Sequence, residues 1–359
     1  MRTGLRGHRA YFTGLLAGVL LTTGCASVGP KTITRDHFNY DAAIGRTAKQ
    51  ELLSNIVGMR YSESPVFLTV SSVINQYALE GEVSVSGGIN NSFIGEDAFV
   101  LGGAARWSDR PTITYTPLSG KEFATNLLTP ISVEGLFGML QAGWPPELAF
   151  QLTILAINGL ENADARPHAR RTASPAYAEL VEIWTRMRRE RVIGVRIGEK
   201  ENKGKVVLFF RQVRATEALQ RDFDRFRELL GLDPESSQFR VVPGLIPSVP
   251  NEIAVLTASI FDIIGNLAWR FEAPPEHIQE GRTLAAFKNE GSALDPLIRV
   301  QYASERPEGA YAAIRNRDYW FYVDDRDMAS KRTFGFLQIL LSLAETGEGG
   351  RGPLVAISN

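Results

Sequence analysis

Three aspartates within four residues, Asp324, Asp325 and Asp327, followed by Lys331 and Arg332, make the densest polar cluster in the chain. They follow an aromatic run, Tyr319 to Val323, and precede Phe334, Leu337, Leu340 and Leu341 at core spacing. The cluster is therefore placed at a strand-to-helix turn. Carboxylates there oppose the positive end of the helix, worth about 0.3–1 kcal/mol each. Asp325 or Asp327 can serve as the N-cap, and Lys331 lies one turn after Asp327, within pairing reach. Two functional readings stand beside that account: a cation site built from the three carboxylates, or a polar contact patch. A cation site takes oxygens from more than one loop, and no second acidic loop is evident. Arg315-Asn316-Arg317-Asp318 has the composition of a hairpin turn at the other end of the aromatic strand.

Other common chemistries lack their signatures. No two histidines stand three or four residues apart, so no helix face offers a zinc pair. The only cysteine is Cys25. Neither G-x-S-x-G nor Ser-x-x-Lys occurs, and there is no Walker A loop. Gly347, Gly349 and Gly352 satisfy G-x-G-x-x-G, but after a helix and before a strand, which is the reverse of the dinucleotide context. They are expected to form a tight loop. No catalytic residue, metal or cofactor is assigned.

The elements that must position the acidic turn follow from periodicity. Tyr40 to Tyr61 is predicted helical, with Ile44, Ala48, Leu52 and Ile56 recurring every four residues. Val66 to Ile74 is β-rich. From Tyr77 the chain alternates, placing Tyr77, Leu79, Val83 and Val85 on one face. Gly87 to Gly103 is expected to be a loop, and Pro111 to Thr116 a strand. Ser119 with Glu122 is composed as a capping box, and Ser132 can cap the next helix. Val133 to Gly159 is strongly apolar and is divided into two helices by Gly143-Trp144-Pro145-Pro146. This is expected to be a buried hairpin; the alternative is a hydrophobic surface for a partner or for lipid headgroups.

Asn162 to Ser174 is polar and arginine-rich and is taken as a boundary. After it, helix (Pro175–Arg191), hairpin (Val192–Ile197 and Val206–Phe210), helix (Ala215–Leu230) and strand (Phe239–Val242) come in turn. A second such unit succeeds the first. It has a strand at Glu252–Leu256, a helix at Ala258–Phe271, strands at Leu297–Tyr302, Tyr311–Ile314 and Tyr319–Val323, a helix at Asp327–Ala344 and a strand at Leu354–Ile357. The fold class is α+β, with mixed or antiparallel sheets and packed helices. The expected organisation is 1–24 as a signal, 25–37 as a tether, 38–162 as an N-terminal helix, strand and helical-hairpin part, and 175–359 as two helix–hairpin–helix–strand units.

Composition is that of a globular chain: 359 residues, 44% hydrophobic and 22% charged. Arg2, Arg6, His8 and Arg9 precede an uncharged run, Ala10 to Leu21, and then Thr22, Thr23, Gly24 and Cys25. Basic, apolar and small residues in that order form a secretory signal, and the run is too short to span a bilayer. Removal of residues 1–24 takes three of 39 basic residues and none of 40 acids, leaving 36 against 40 and a net charge of −4. That balance argues against a nucleic-acid partner.

Thr22 to Cys25 resembles the lipobox of bacterial lipoproteins, with Thr22 where that family usually has Leu. The resemblance implies a diacylglycerol thioether on Cys25, cleavage before it, and acylation of the new amine with a fatty acid such as palmitate. Ala26, where Asp would favour inner-membrane retention, implies an outer-membrane anchor with the body in the periplasm. The mature chain also resembles a group of uncharacterised bacterial envelope lipoproteins. That likeness rests on Glu51 to Val57 with Arg60-Tyr61, and on Tyr319 to Asp327 with Ser330 to Phe334; it implies no activity. The sequence therefore supports a lipid-anchored envelope protein that binds or scaffolds a protein partner. The alternatives are a periplasmic hydrolase using Asp324, Asp325 or Asp327, and a small-ligand carrier.

Overall fold

Pro30 opens the first helix of the computed structural model, which describes residues 30–88, 98–109, 112–117, 119–198, 205–211, 216–288, 297–345 and 354–358. Helix α1 runs Pro30–Arg60, about 46 Å at 1.5 Å per residue. It is already helical at Pro30, the first residue described, ten positions before the start at Tyr40 that periodicity predicts, since nothing between breaks the ladder. Its last two turns are core: Leu52, Leu53, Ile56 and Val57 are buried, and the helix packs on the segments Ile260–Ala268 and Ala310–Asn316.

Asn55 turns α1 into an anchor for the first strand. Its Nδ2 donates to the Val66 carbonyl, and its Oδ1 accepts from the Val66 N–H, both at 2.8 Å. The Leu68 N–H donates to Glu51 Oε1 at 2.9 Å. Strand β1, Leu68–Gly88, starts there. Strands β2 (Ala98–Asp109) and β3 (Thr112–Pro117) both pair antiparallel with it. β2 covers Tyr77 to Gly88 over twelve residue pairs, and β3 covers Leu68 to Ile74 in continuing register, with a bulge between Val70 and Ser72. Gly87–Gly103 is thus not one loop: Gly87, Gly88 and residues 98–103 are strand. The glycines and alanines of FVLGGAA hide this, being weak strand formers alone that are held by pairing to β1.

Ser119 precedes a short helix α2, Gly120–Phe123, without a side-chain cap, so the capping box does not form. A π turn, Ala124–Leu128, comes next. Ser132 does cap α3 (Val133–Gln141), its Oγ accepting from the Gly135 N–H at 3.0 Å. Helix α4 is Pro146–Thr153, with Pro146 in its first turn. It ends earlier than the apolar run suggests. Ile154–Ile157 is strand β4, a β-branched stretch recruited by a sheet, and β5 is Leu160–Glu161. Leu136, Phe137, Leu140 and Leu152 are buried, with Leu148 and Leu155 partly buried against the same core. The apolar hairpin is interior.

Helix α5 (Pro175–Arg189), strands β6 (Ile193–Ile197) and β7 (Val206–Phe210), helix α6 (Glu217–Leu230), and strands β8 (Gln238–Pro243) and β9 (Glu252–Thr257) come next. They complete a six-stranded sheet in the order β5-β4-β9-β8-β7-β6, antiparallel except at β8–β9. The polar run Asn162–Ser174 therefore lies within a unit whose sheet draws strands from both sides of it. Trp184 of α5 is the hub of that core, in edge or tilted contact with Phe137, Phe150 and Phe226. Gly231 closes α6 at φ 60°, left-handed backbone that favours glycine.

Helices α7 (Ile260–Ala268) and α8 (Pro275–Gln279) lead to a three-stranded antiparallel sheet: β10 (Gln301–Ala303), β11 (Ala310–Asn316) and β12 (Tyr319–Asp324), in the order β10-β12-β11. Arg317, at φ 55°, turns β11 into β12. β10 is shorter than predicted, since residues 297–300 are irregular. Helix α9 (Met328–Glu345) is next, and then β13 (Leu354–Ser358), which joins β1 in parallel from Ser72 to Gln76. The fold is α+β with mixed and antiparallel sheets, and the two helix–hairpin–helix–strand units stand in the predicted order. No helix among the described residues is long and apolar enough to cross a membrane.

Candidate functional site

The acidic turn lies between β12 and α9, and each of its carboxylates is engaged locally. Asp324 accepts from Arg326 Nε at 2.9 Å, Nη2 at 2.7 Å and the backbone N–H at 2.8 Å. The Arg326 guanidinium holds its carboxyl well below the usual carboxylate range. Asp325 pairs with Lys331 Nζ at 2.8 Å. Asp327 is the cap of α9: its Oδ1 accepts from the Ser330 N–H at 3.1 Å and its Oδ2 from Ser330 Oγ at 2.7 Å. Burial works to raise the Asp327 carboxyl, but the Ser330 hydroxyl and N–H prevail and hold it low. The Asp327–Lys331 pair expected along the helix does not form. Capping turns the Asp327 carboxylate onto Ser330, and Lys331 reaches back to the side chain and carbonyl of Asp325. Arg332 is exposed.

The turn clamps two segments together. Ser330 Oγ accepts from the Arg299 N–H at 2.8 Å, and Arg299 Nη1 is 3.4 Å from Asp327. Thr333 Oγ1 donates to the Leu297 carbonyl. Residues 297–300 thus satisfy their backbone from α9 side chains, which is why this stretch is not a full strand. The carboxylates face partners in their own chain and do not converge on a common point. Among the described residues no group of three or more His, Cys, Asp or Glu is placed to hold a metal ion.

Sequence reasoning did not identify two other polar clusters. The first surrounds Asp164, whose side chain is 1% exposed. Arg166 grips it with Nε at 3.0 Å and Nη2 at 2.7 Å, and its Nη1 reaches Asp262. Asp262 forms a capping box with Ser259 at the start of α7. Burial opposes ionisation of Asp164, and the Arg166 side chain overcomes it, leaving the carboxyl low. The second cluster joins the two stretches that carry the lipoprotein likeness. Arg60 is fully buried, donates to the Leu284 carbonyl at 2.8 Å and lies 4.7 Å from the Trp269 ring centroid. Burial lowers its pKa to about 10. Next to it the Tyr61 hydroxyl shares a 2.8 Å hydrogen bond with His277 Nδ1, and the Tyr61 ring meets Phe321 edge-on at 6.2 Å. Only the i, i+1 pair Arg60-Tyr61 at a helix end could have hinted at this. The Asp164 cluster ties the loop after β5 to the start of α7, and the Arg60–Tyr61 cluster ties the end of α1 to α8 and β12.

Among the described residues the clefts are open grooves. One lies between α5 and α6 and is lined by Arg186, Arg189, Glu190, Thr216 and Asp222, with Arg186 and Asp222 already paired at 2.7 Å. The structure offers a different candidate, the β1–β2 ribbon. Beyond Gln76 the edge of β1 opposite β2 pairs with no described strand, nor does the outer edge of β2. Rows of unpaired N–H and C=O groups on a strand are a template for another chain. Cys25 lies outside the described residues, as do Gly347, Gly349 and Gly352. No protein-family model, curated protein or solved structure matches the chain.

Proposed function

We propose that the protein is a lipid-anchored component of the cell envelope, held at the outer membrane through Cys25 with its body in the periplasm, and that it works by binding and assembly. The observation that carries this reading is the β1–β2 ribbon, whose two edges have no strand partner among the described residues over twelve residue pairs. A strand edge of that length is an association device. The N-terminal signal and lipobox resemblance supply the anchor, and more than one acyl chain gives durable attachment. Helix α1 connects the two, since it starts five residues after Cys25 and its last turns hold the root of β1 through Glu51 and Asn55.

Two experiments test the reading. Cys25→Ser should abolish acylation and cleavage before residue 25, read by intact mass of the protein; a wild-type protein that carries no acyl mass would remove Cys25 as the anchor. Asp327→Asn separates assembly from catalysis, because an amide still caps a helix but cannot act as a general base. The expected result is a protein that is stable and active in complementation. A stable, inactive variant would favour a hydrolase at the acidic turn.

A further inference from the structure

We infer that β1 and β2 form a membrane-inserted hairpin, and that several copies of this chain join their hairpins edge to edge into one closed β-barrel. Four observations carry this. The first is the sorting of residues by register. Successive strand positions alternate between faces, and Tyr77↔Asp109 through Gly88↔Ala98 pair without a slip. One face then holds Tyr77, Leu79, Val83 and Val85 of β1 with Phe99, Leu101 and Trp107 of β2, filled in by Gly81, Gly87, Gly103 and Ala105, with Asp109 opposite Tyr77 at the root. From Leu79 to Gly87 and from Phe99 to Trp107 it carries no charge. The other face holds Glu80, Glu82, Ser84, Ser86, Arg106 and Ser108, with Val100 its one large apolar residue. Glu80 stands directly opposite Arg106, a favourable cross-strand charge pair.

The second observation is length. A membrane-spanning β-strand needs about 9–11 residues when tilted, and this hairpin has twelve pairs. The third is where the aromatics fall. Tyr77 and Trp107 stand at the root end of the apolar face and Phe99 towards the tip, with only aliphatic and small residues between. Membrane barrels carry aromatic girdles at both interfaces around an apolar band about 25 Å tall. The fourth is the pair of edges that no other strand among the described residues pairs. Hydrocarbon does not tolerate an open sheet edge, so a lipid-facing hairpin must have both edges paired. One chain supplies two such strands, and further copies supply the rest. A barrel of about 16 strands, enough for an aqueous channel, takes about eight copies. The polar faces would line it, with two Glu and one Arg per copy.

This inference rests on the proposed membrane location, yet its test does not depend on the lipid. Cys25 is the only cysteine, so single cysteines can be placed at consecutive positions 79 to 84 in full-length Cys25→Ser protein. Each is labelled with a solvent-sensitive fluorophore and reconstituted in phosphatidylcholine–phosphatidylglycerol vesicles. Labels at 79, 81 and 83 should be quenched several-fold more by lipid-borne nitroxide than labels at 80, 82 and 84. Aqueous iodide should give the reverse. Uniform quenching, or iodide access at all six, overturns the inference. Odd positions shielded from both quenchers would mean that protein covers that face, which also overturns it. Because every sample lacks Cys25, either result leaves the anchoring experiment untouched.

Closure is tested separately. Wild-type protein in planar bilayers should show discrete, cation-preferring conductance, and crosslinking in membranes should give one dominant oligomer. Leu101→Asp should abolish conductance while the thermal unfolding of the body is unchanged. Glu82→Lys should lower or reverse the ion preference. A membrane-bound monomer, or conductance indifferent to both substitutions, overturns the barrel.

Discussion

The six-stranded sheet and the β1–β2 ribbon solve the problem of strand edges in opposite ways. The sheet finishes itself. One edge, β5, is only Leu160–Glu161. At the other, Gln141 of α3 donates from Nε2 to the Val195 carbonyl of β6 at 2.6 Å. Short or covered edges are how a sheet avoids adding strands from other chains. The ribbon uses no such device beyond Gln76. Its strands are long, and among the described residues no helix packs along β2 as α3 packs along β6. A chain that caps one sheet edge with a helix side chain and leaves another without a described strand partner over twelve pairs is suited to remain single in one place and to associate in the other.

The contrast is broken if substitutions in the two regions have the same consequence. The largest effect is expected at Trp184, 3% exposed among three aromatic rings. Trp184→Ala should cost about 3–5 kcal/mol, read by denaturant unfolding. Val83→Ser in the ribbon should leave that transition in place and alter only assembly. A ribbon substitution that unfolds the body would join the two regions into one cooperative unit.

Next in size is Asp164→Ala, about 1–3 kcal/mol, because the half-buried Arg166 loses its hydrogen bonds to that carboxylate and keeps only Asp262. Its pH dependence has a definite sign. Burial opposes ionisation of the Asp164 carboxyl, but Arg166 holds its folded pKa below the unfolded value. The contribution is therefore full above about pH 5 and is lost as the pH falls through the acid range below about 4. Acid titration of stability should show a shallower loss in Asp164→Asn than in wild type.

Smaller still is Asp327→Ala, about 0.5–2 kcal/mol from the lost cap, against near-neutrality for Asp327→Asn, both read by thermal unfolding. The smallest is Gln141→Ala, about 0.5–1.5 kcal/mol for one hydrogen bond. Its sharper readout is association: with the β6 edge uncovered, Cys25→Ser protein should show concentration-dependent association by sedimentation beyond that of the same protein with Gln141 intact. If the two sediment alike, Gln141 is not what protects that edge.

Much of the body was legible in the sequence because its elements are each sorted by their own period. Helix α6 shows Leu219, Phe223, Phe226 and Leu230 at helical spacing, and Gly231 marks its end. The second half of α4's apolar run was not legible. Ile154 to Ile157 is as hydrophobic as the helix before it, and a run buried on all sides carries no period to separate strand from helix. β2 failed for the converse reason. Its central Gly102, Gly103, Ala104 and Ala105 have little propensity alone, and only the register with β1 orders them. At the acidic turn the capping role of Asp327 was legible from position. The choice of Lys331 for Asp325 was not, because it depends on Ser330 also contacting Arg299, a residue far off in sequence. The Asp164 cluster joins residues 96 positions apart and the Arg60 cluster residues more than 200 apart, and no spacing rule reaches that far.

The parallel pairing of β13 with β1, Ser72 against Leu354 to Gln76 against Ser358, bears on the order of events during folding. β1, β2 and β3 are neighbours in sequence and can zip as soon as they emerge. β13 is made last of the strands and must cross almost the entire chain to reach its place, the slow kind of closure. Until then the ribbon is open along its root as well as its shaft, a state prone to pairing with the wrong chain. The arrival of β13 shortens the open edge of β1 to the part beyond Gln76. Docking of β13 thus sets when the root of the ribbon closes, and only a chain in which it has paired confines the open edge of β1 to the part beyond Gln76.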